Sequence, residues 1–143
     1  METGMRRLPI SSAGLLLLLC PLLAPAQAVQ RQEGRAFAAD GGALVYRETH
    51  WLQGPPEALS RLVLYRCADG RPFERKWMTP QGSPQTPDFS LEDGRDGYQE
   101  GVRGNGAART VYVRDSADAA PVSRTLEVPA GAVVDAGFDA AVR

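Results

Sequence analysis

His50 and Cys67 are the first residues to weigh, because they are the one histidine and one of the two cysteines in the chain. A thiolate nucleophile needs a base within reach and a third group that orients the base. The two residues fall on neighbouring predicted strands, so contact is an expectation to test. Their spacing names no orienting group. Cys67 closes an apolar strand, where a cysteine ordinarily serves as a small buried hydrophobe. No catalytic residue is assigned on this basis, and a small hydrolase built on His50 stands as a third reading of function.

Carboxylates come next. Asp88, Glu92, Asp93, Asp96 and Glu100 lie close together, and hard cations take several oxygens from one loop. With Gly97 set as the obligatory glycine of a calcium loop, Gly94 falls on a ligand position and Arg103 replaces the bidentate glutamate. The pattern is therefore not an EF-hand, and Asp93-Gly94 and Asp96-Gly97 read as turns. One histidine and one cysteine make no ordinary zinc site. The chain has no Gly-x-Ser-x-Gly, no phosphate loop and no dinucleotide glycine fingerprint. Neither metal nor cofactor is assigned.

Aromatic residues offer binding rather than catalysis. Nearly all ten of them fall on or beside predicted strands. They either fill the core of a curved sheet or partly line an apolar pocket in an open or closed barrel. Trp51, Tyr65, Phe73 and Trp77 are the residues expected to line such a pocket.

The elements that must position these side chains are strands. Residues 35–39 and 43–51 read as two strands joined at Asp40-Gly41-Gly42. Residues 61–67 and 72–78 flank Asp69-Gly70, the strongest hairpin signal present. In the second of these, Phe73, Arg75 and Trp77 alternate against Glu74, Lys76 and Met78. Residues 79–87 carry three prolines and a glycine and read as a loop. Residues 98–103 and 109–114 flank Gly104-Asn105-Gly106, and 122–128 alternates once more. Six or seven sequential antiparallel strands result. Asp135 reads as the cap of a short helix through Phe138, Ala141 and Val142. Two turns are not stable alone, so either the helix docks on the sheet or the chain is a shortened form of something longer.

The first 28 residues set the compartment. Arg6 and Arg7 precede the apolar run 13–23, and Ala26-Gln27-Ala28 offers a small-x-small cleavage pattern. The run is too short for a bilayer core that needs about 20 residues. Residues 1–28 therefore read as a signal peptide, and 29–143 as a single β-rich domain working in the periplasm or outside the cell, with no stable membrane span after cleavage. Leu19 and Pro21 beside Cys20 disfavour lipidation. Loss of Cys20 leaves Cys67 without an internal disulfide partner, and a bridge between two chains stays open. The 16 basic and 17 acidic residues give a net charge of −1, with no broad field for nucleic acid.

Four blocks, at 44–50, 65–73, 93–101 and 135–139, resemble a family of exported β-rich proteins of Gram-negative bacteria with no known activity. The resemblance implies a periplasmic setting and a chain that continues past Gly137-Phe138-Asp139.

The expected fold is mainly β: an antiparallel meander forming a half-barrel or small barrel, with a short C-terminal helix. The expected function is a non-catalytic periplasmic binding module for an apolar or lipid-like ligand. The alternative is a cell-envelope protein–protein module that uses a sheet edge or the proline-rich segment.

Overall fold

The computed structural model describes residues 28–104 and 106–142. The predicted signal peptide and Asn105 lie outside them, save Ala28. Eight strands run in sequence: β1 (Gln30–Phe37), β2 (Leu44–Gln53), β3 (Ser60–Cys67), β4 (Pro72–Ser83), β5 (Thr86–Asp93), β6 (Gln99–Arg103), β7 (Ala108–Arg114) and β8 (Val122–Glu127). Each is hydrogen-bonded, antiparallel, to its sequence neighbour. The mainly β meander is the expected one. β1 and β8 each pair on one side alone, so the sheet is open and the small-barrel alternative falls.

Turn chemistry sets the register. Gly70 takes φ +91° and donates its N–H to the Cys67 carbonyl at 2.9 Å, as the Asp69-Gly70 pair predicts. The strand that the sequence reading missed is β5. The expected loop at 79–87 is instead the end of a long β4–β5 hairpin, paired through Gly82↔Pro87 and Ser83↔Thr86. A register shift between Thr79 and Gly82 takes up Pro80, which cannot donate to a regular ladder.

Register divides the sheet into two faces. Leu52, Val63, Leu91 and Val102 share the inner face and form the buried core with Ala136. The C-terminal segment covers part of this face. It carries a 3₁₀ turn at Asp135–Gly137 and the helix α1 (Phe138–Ala141). Val134 donates its N–H to the Gln85 carbonyl at 3.1 Å. Gly137 sits so close to that carbonyl that a Cβ would collide with it. The segment through the 3₁₀ turn therefore docks on the sheet. Asp135 makes no cap; its carboxylate takes Lys76 Nζ at 2.9 Å, and Asp139 takes Arg61 Nη1 at 2.8 Å.

One buried ion pair ties the two long hairpins together. Arg109 is 1% exposed, and its Nη2 donates to Asp88. The other Asp88 oxygen accepts the Gly104 N–H at 3.3 Å. Gly82, at φ +92°, leaves the space in which the guanidinium lies; a Cβ there would meet Arg109 Nη1.

Candidate functional site

The four aromatics expected to line one pocket divide between the two faces. Glu48 stands opposite Tyr65, and Trp51 opposite Leu62, so alternation puts Tyr65 inside and Trp51 outside. Trp77 pairs with Leu62 and shares the outer face with Trp51. A bulge between Tyr65 and Arg66 breaks the expected alternation of β4 and turns Phe73 inward, away from Trp77.

The inner group is Tyr46, Tyr65 and Phe73. Their ring centroids lie 5.9, 6.3 and 6.2 Å apart, within the range of favourable edge-on and tilted ring contacts. The Arg95 guanidinium covers Phe73 at 4.3 Å from its centroid. Around the rings run the carboxylates of Glu48, Glu74 and Asp93, in register with Tyr65 across β2–β5. Burial, and then the Glu48 and Glu74 charges, push the Tyr65 hydroxyl far above the ordinary phenol range. Burial, then the Asp93 charge, raises Glu74. Arg95 holds Asp93 below the usual carboxylate range. The rings pack on one another, Asp93 pairs with Arg95 and Glu48 with His50.

A raised carboxyl contributes stability below its unfolded pKa and loses it as pH rises through the folded value. Glu74→Gln is therefore expected to raise the urea midpoint at pH 7. The gain should vanish near pH 3.5, where Glu74 is protonated in both states. Equal midpoints at pH 7 would contradict the burial assigned to this group.

His50 and Cys67 do not meet. His50 stands opposite Val63, and Cys67 opposite Tyr46, so four residues of strand, about 13 Å, separate them. His50 Nε2 lies 2.8 Å from Glu48 Oε2 instead. Cys67 is a free, half-buried thiol. The acidic stretch is engaged by other side chains and backbone groups rather than gathered on one point. Asp88 holds Arg109, Glu92 takes Arg75 at 2.7 Å, Asp96 caps the Tyr98 N–H at 3.0 Å, and Glu100 accepts from the Tyr98 hydroxyl at 2.9 Å. Among the described residues no group of three or more His, Cys, Asp or Glu is placed to hold a metal. No helix among them is long and apolar enough to cross a membrane.

The outer face carries the better candidate. Register sets Trp51, Leu62, Trp77, Ser90, Gly101 and Tyr112 in one cross-strand row from β2 to β7. Trp77 is 46% exposed. Ser90 and Gly101 are small, and the Tyr112 ring lies over Gly101, where any Cβ would strike its hydroxyl and the Phe89 carbonyl. An open groove of about 200 Å³ results beside Trp77, with Tyr112 as its far wall and Ser90 on its floor. Arg103 stacks on Tyr112, 5.5 Å from its centroid, at the rim. Aromatic walls over a small floor suit a flat or flexible apolar group.

Of this row the sequence names Trp51 and Trp77 as expected lining residues; it does not name Ser90, Gly101 or Tyr112. Two signals pointed to them. Asp88 to Asp93 alternates polar with Phe89 and Leu91. A glycine inside a strand marks the close approach of another group.

Comparison with protein-family models, with curated proteins and with solved structures finds no match in any of the three.

Proposed function

We propose that this chain is an exported, non-catalytic binding module of the periplasm, whose outer-face groove beside Trp77 takes an apolar, lipid-like ligand. One observation carries this reading: Trp77, 46% exposed, stands beside a groove with Ser90 on its floor and a second aromatic wall at Tyr112. A large apolar side chain left in water beside a preformed groove gains on ligand burial, at about 25 cal/mol for each Å² covered. The resemblance to exported proteins and the cleavage pattern at Ala26-Gln27-Ala28 support the compartment.

The test is native mass spectrometry of the full chain expressed for export and purified from a bacterial periplasm. A species starting at Val29 that carries added mass typical of a fatty acid or lipid is expected. An unliganded species that gains nothing from added dodecanoate would contradict the binding reading. Retention of residues 1–28 would contradict the export reading.

A second reading rests on a separate observation. Every residue of β8 is exposed, and its outer edge pairs with no strand among the described residues. Such an edge can accept a strand from an envelope protein. A partner captured by the full chain and lost when a proline replaces Ser123 or Thr125 would favour it.

A further inference from the structure

The outer face has a second feature beyond the apolar row. Arg35 pairs with Arg47, and Arg47 with Arg66. Three guanidinium side chains thus stand directly opposite one another across β1, β2 and β3. Like charges in such positions repel, and none of the three makes an ion pair or side-chain hydrogen bond among the described residues. They open on one hollow of about 550 Å³, whose walls also include Arg31 and Trp51. Of the two acidic residues that line it, Glu33 is engaged by Arg31, and Glu48 turns its carboxylate to the inner face, where it meets His50.

We infer that this hollow binds the phosphate group of an anionic amphiphile whose apolar part lies along Trp51, Leu62 and Trp77. The inference extends the proposed function to a ligand class and rests on it. The guanidinium fork matches phosphate oxygens bidentately and keeps its charge at any working pH. An arriving phosphate dianion also removes the mutual repulsion of the row, so the ligand completes a charge balance that the protein alone leaves open. Trp51 joins the two parts: it lines the hollow and begins the row that runs through Leu62 to Trp77. Four residues of β2 separate Arg47 from Trp51, about 13 Å of strand, so head and tail sites are adjacent and distinct.

Dodecyl phosphate and a neutral twelve-carbon amphiphile, each below its micellar concentration, test this on the full mature chain, read by tryptophan fluorescence. Dodecyl phosphate should bind at least tenfold more tightly than the neutral probe at low salt, and the advantage should shrink as salt rises. Arg47→Gln should abolish the preference and leave the neutral probe's affinity unchanged. Its melting temperature should equal or exceed that of the wild type, since a repulsive charge is gone. Equal affinity for the two probes overturns the phosphate site while the apolar reading stands. Failure of both probes overturns both. Binding of phosphatidic-acid vesicles without binding of monomeric dodecyl phosphate would assign the arginines to a membrane surface and overturn the single-ligand site.

Discussion

Asp88→Ala is expected to destabilise the domain by about 3–5 kcal/mol, the usual cost of breaking a buried ion pair from one side. The reason is the partner left behind. Arg109 is 1% exposed, and among the described residues its Nε and Nη1 already have no hydrogen-bond partner. Removal of Asp88 strands a full positive charge between the β4–β5 and β6–β7 hairpins. It also frees the Gly104 N–H. Domains of this size hold only about 5–15 kcal/mol in total, so much of the molecule should be unfolded at moderate urea. Arg109→Met should cost less, because Asp88 keeps a 20% exposed side chain that water can reach. The double variant Asp88→Ala/Arg109→Met should recover part of the loss. Urea midpoints of the four proteins give the coupling directly. A shift in Asp88→Ala below about 1 kcal/mol would show that the pair is solvated.

Ser90→Phe is expected to lower affinity for dodecanoate at least tenfold while leaving stability within about 0.5 kcal/mol, as for most surface substitutions. Ser90 is exposed and stands between Trp77 and Gly101 in the outer-face row. A phenyl ring there occupies the groove itself and can stack on Trp77 without entering the core. The chain holds two tryptophans, so a Trp51→Phe background makes Trp77 the sole reporter. Its emission should shift to the blue on titration of the parent and stay still in Ser90→Phe. An unchanged titration would remove the groove from the ligand site.

Most of the fold was legible because the signals are local. Asp69-Gly70 fixes the β3–β4 hairpin, and the glycines at 104 and 106, with φ +138° and +70°, bound the β6–β7 turn. The tight order of hairpins makes an antiparallel meander nearly obligatory. β5 was missed because prolines at 80, 84 and 87 outweighed the alternation beyond them. The structure places Pro80 in a bulge, so the ladder survives. Which side chains turn inward was harder to read. Nothing in Pro72-Phe73-Glu74 announces the bulge that turns Phe73 inward, because a bulge depends on the partner strand's register. The same is true of Arg109, whose burial needs Gly82 and Asp88 from a distant hairpin.

The candidate site suffered the same limit. Of the four aromatics named from the sequence, Trp77 lines the outer-face groove. Tyr65 and Phe73 instead close an inner cluster with Tyr46. The arginine row at 35, 47 and 66 is invisible along the chain, since only strand pairing brings the three together.

The most direct measurement is a backbone and indole amide chemical-shift map of the isotope-labelled mature chain during titration with dodecanoate. The largest changes should fall on the Trp77 indole, Ser90, Gly101 and Tyr112, with smaller ones reaching Trp51 and none at Tyr46, Tyr65 or Phe73. Changes centred on the inner aromatic cluster, or a spectrum that dodecanoate leaves unmoved, would contradict the outer-face groove as the ligand site.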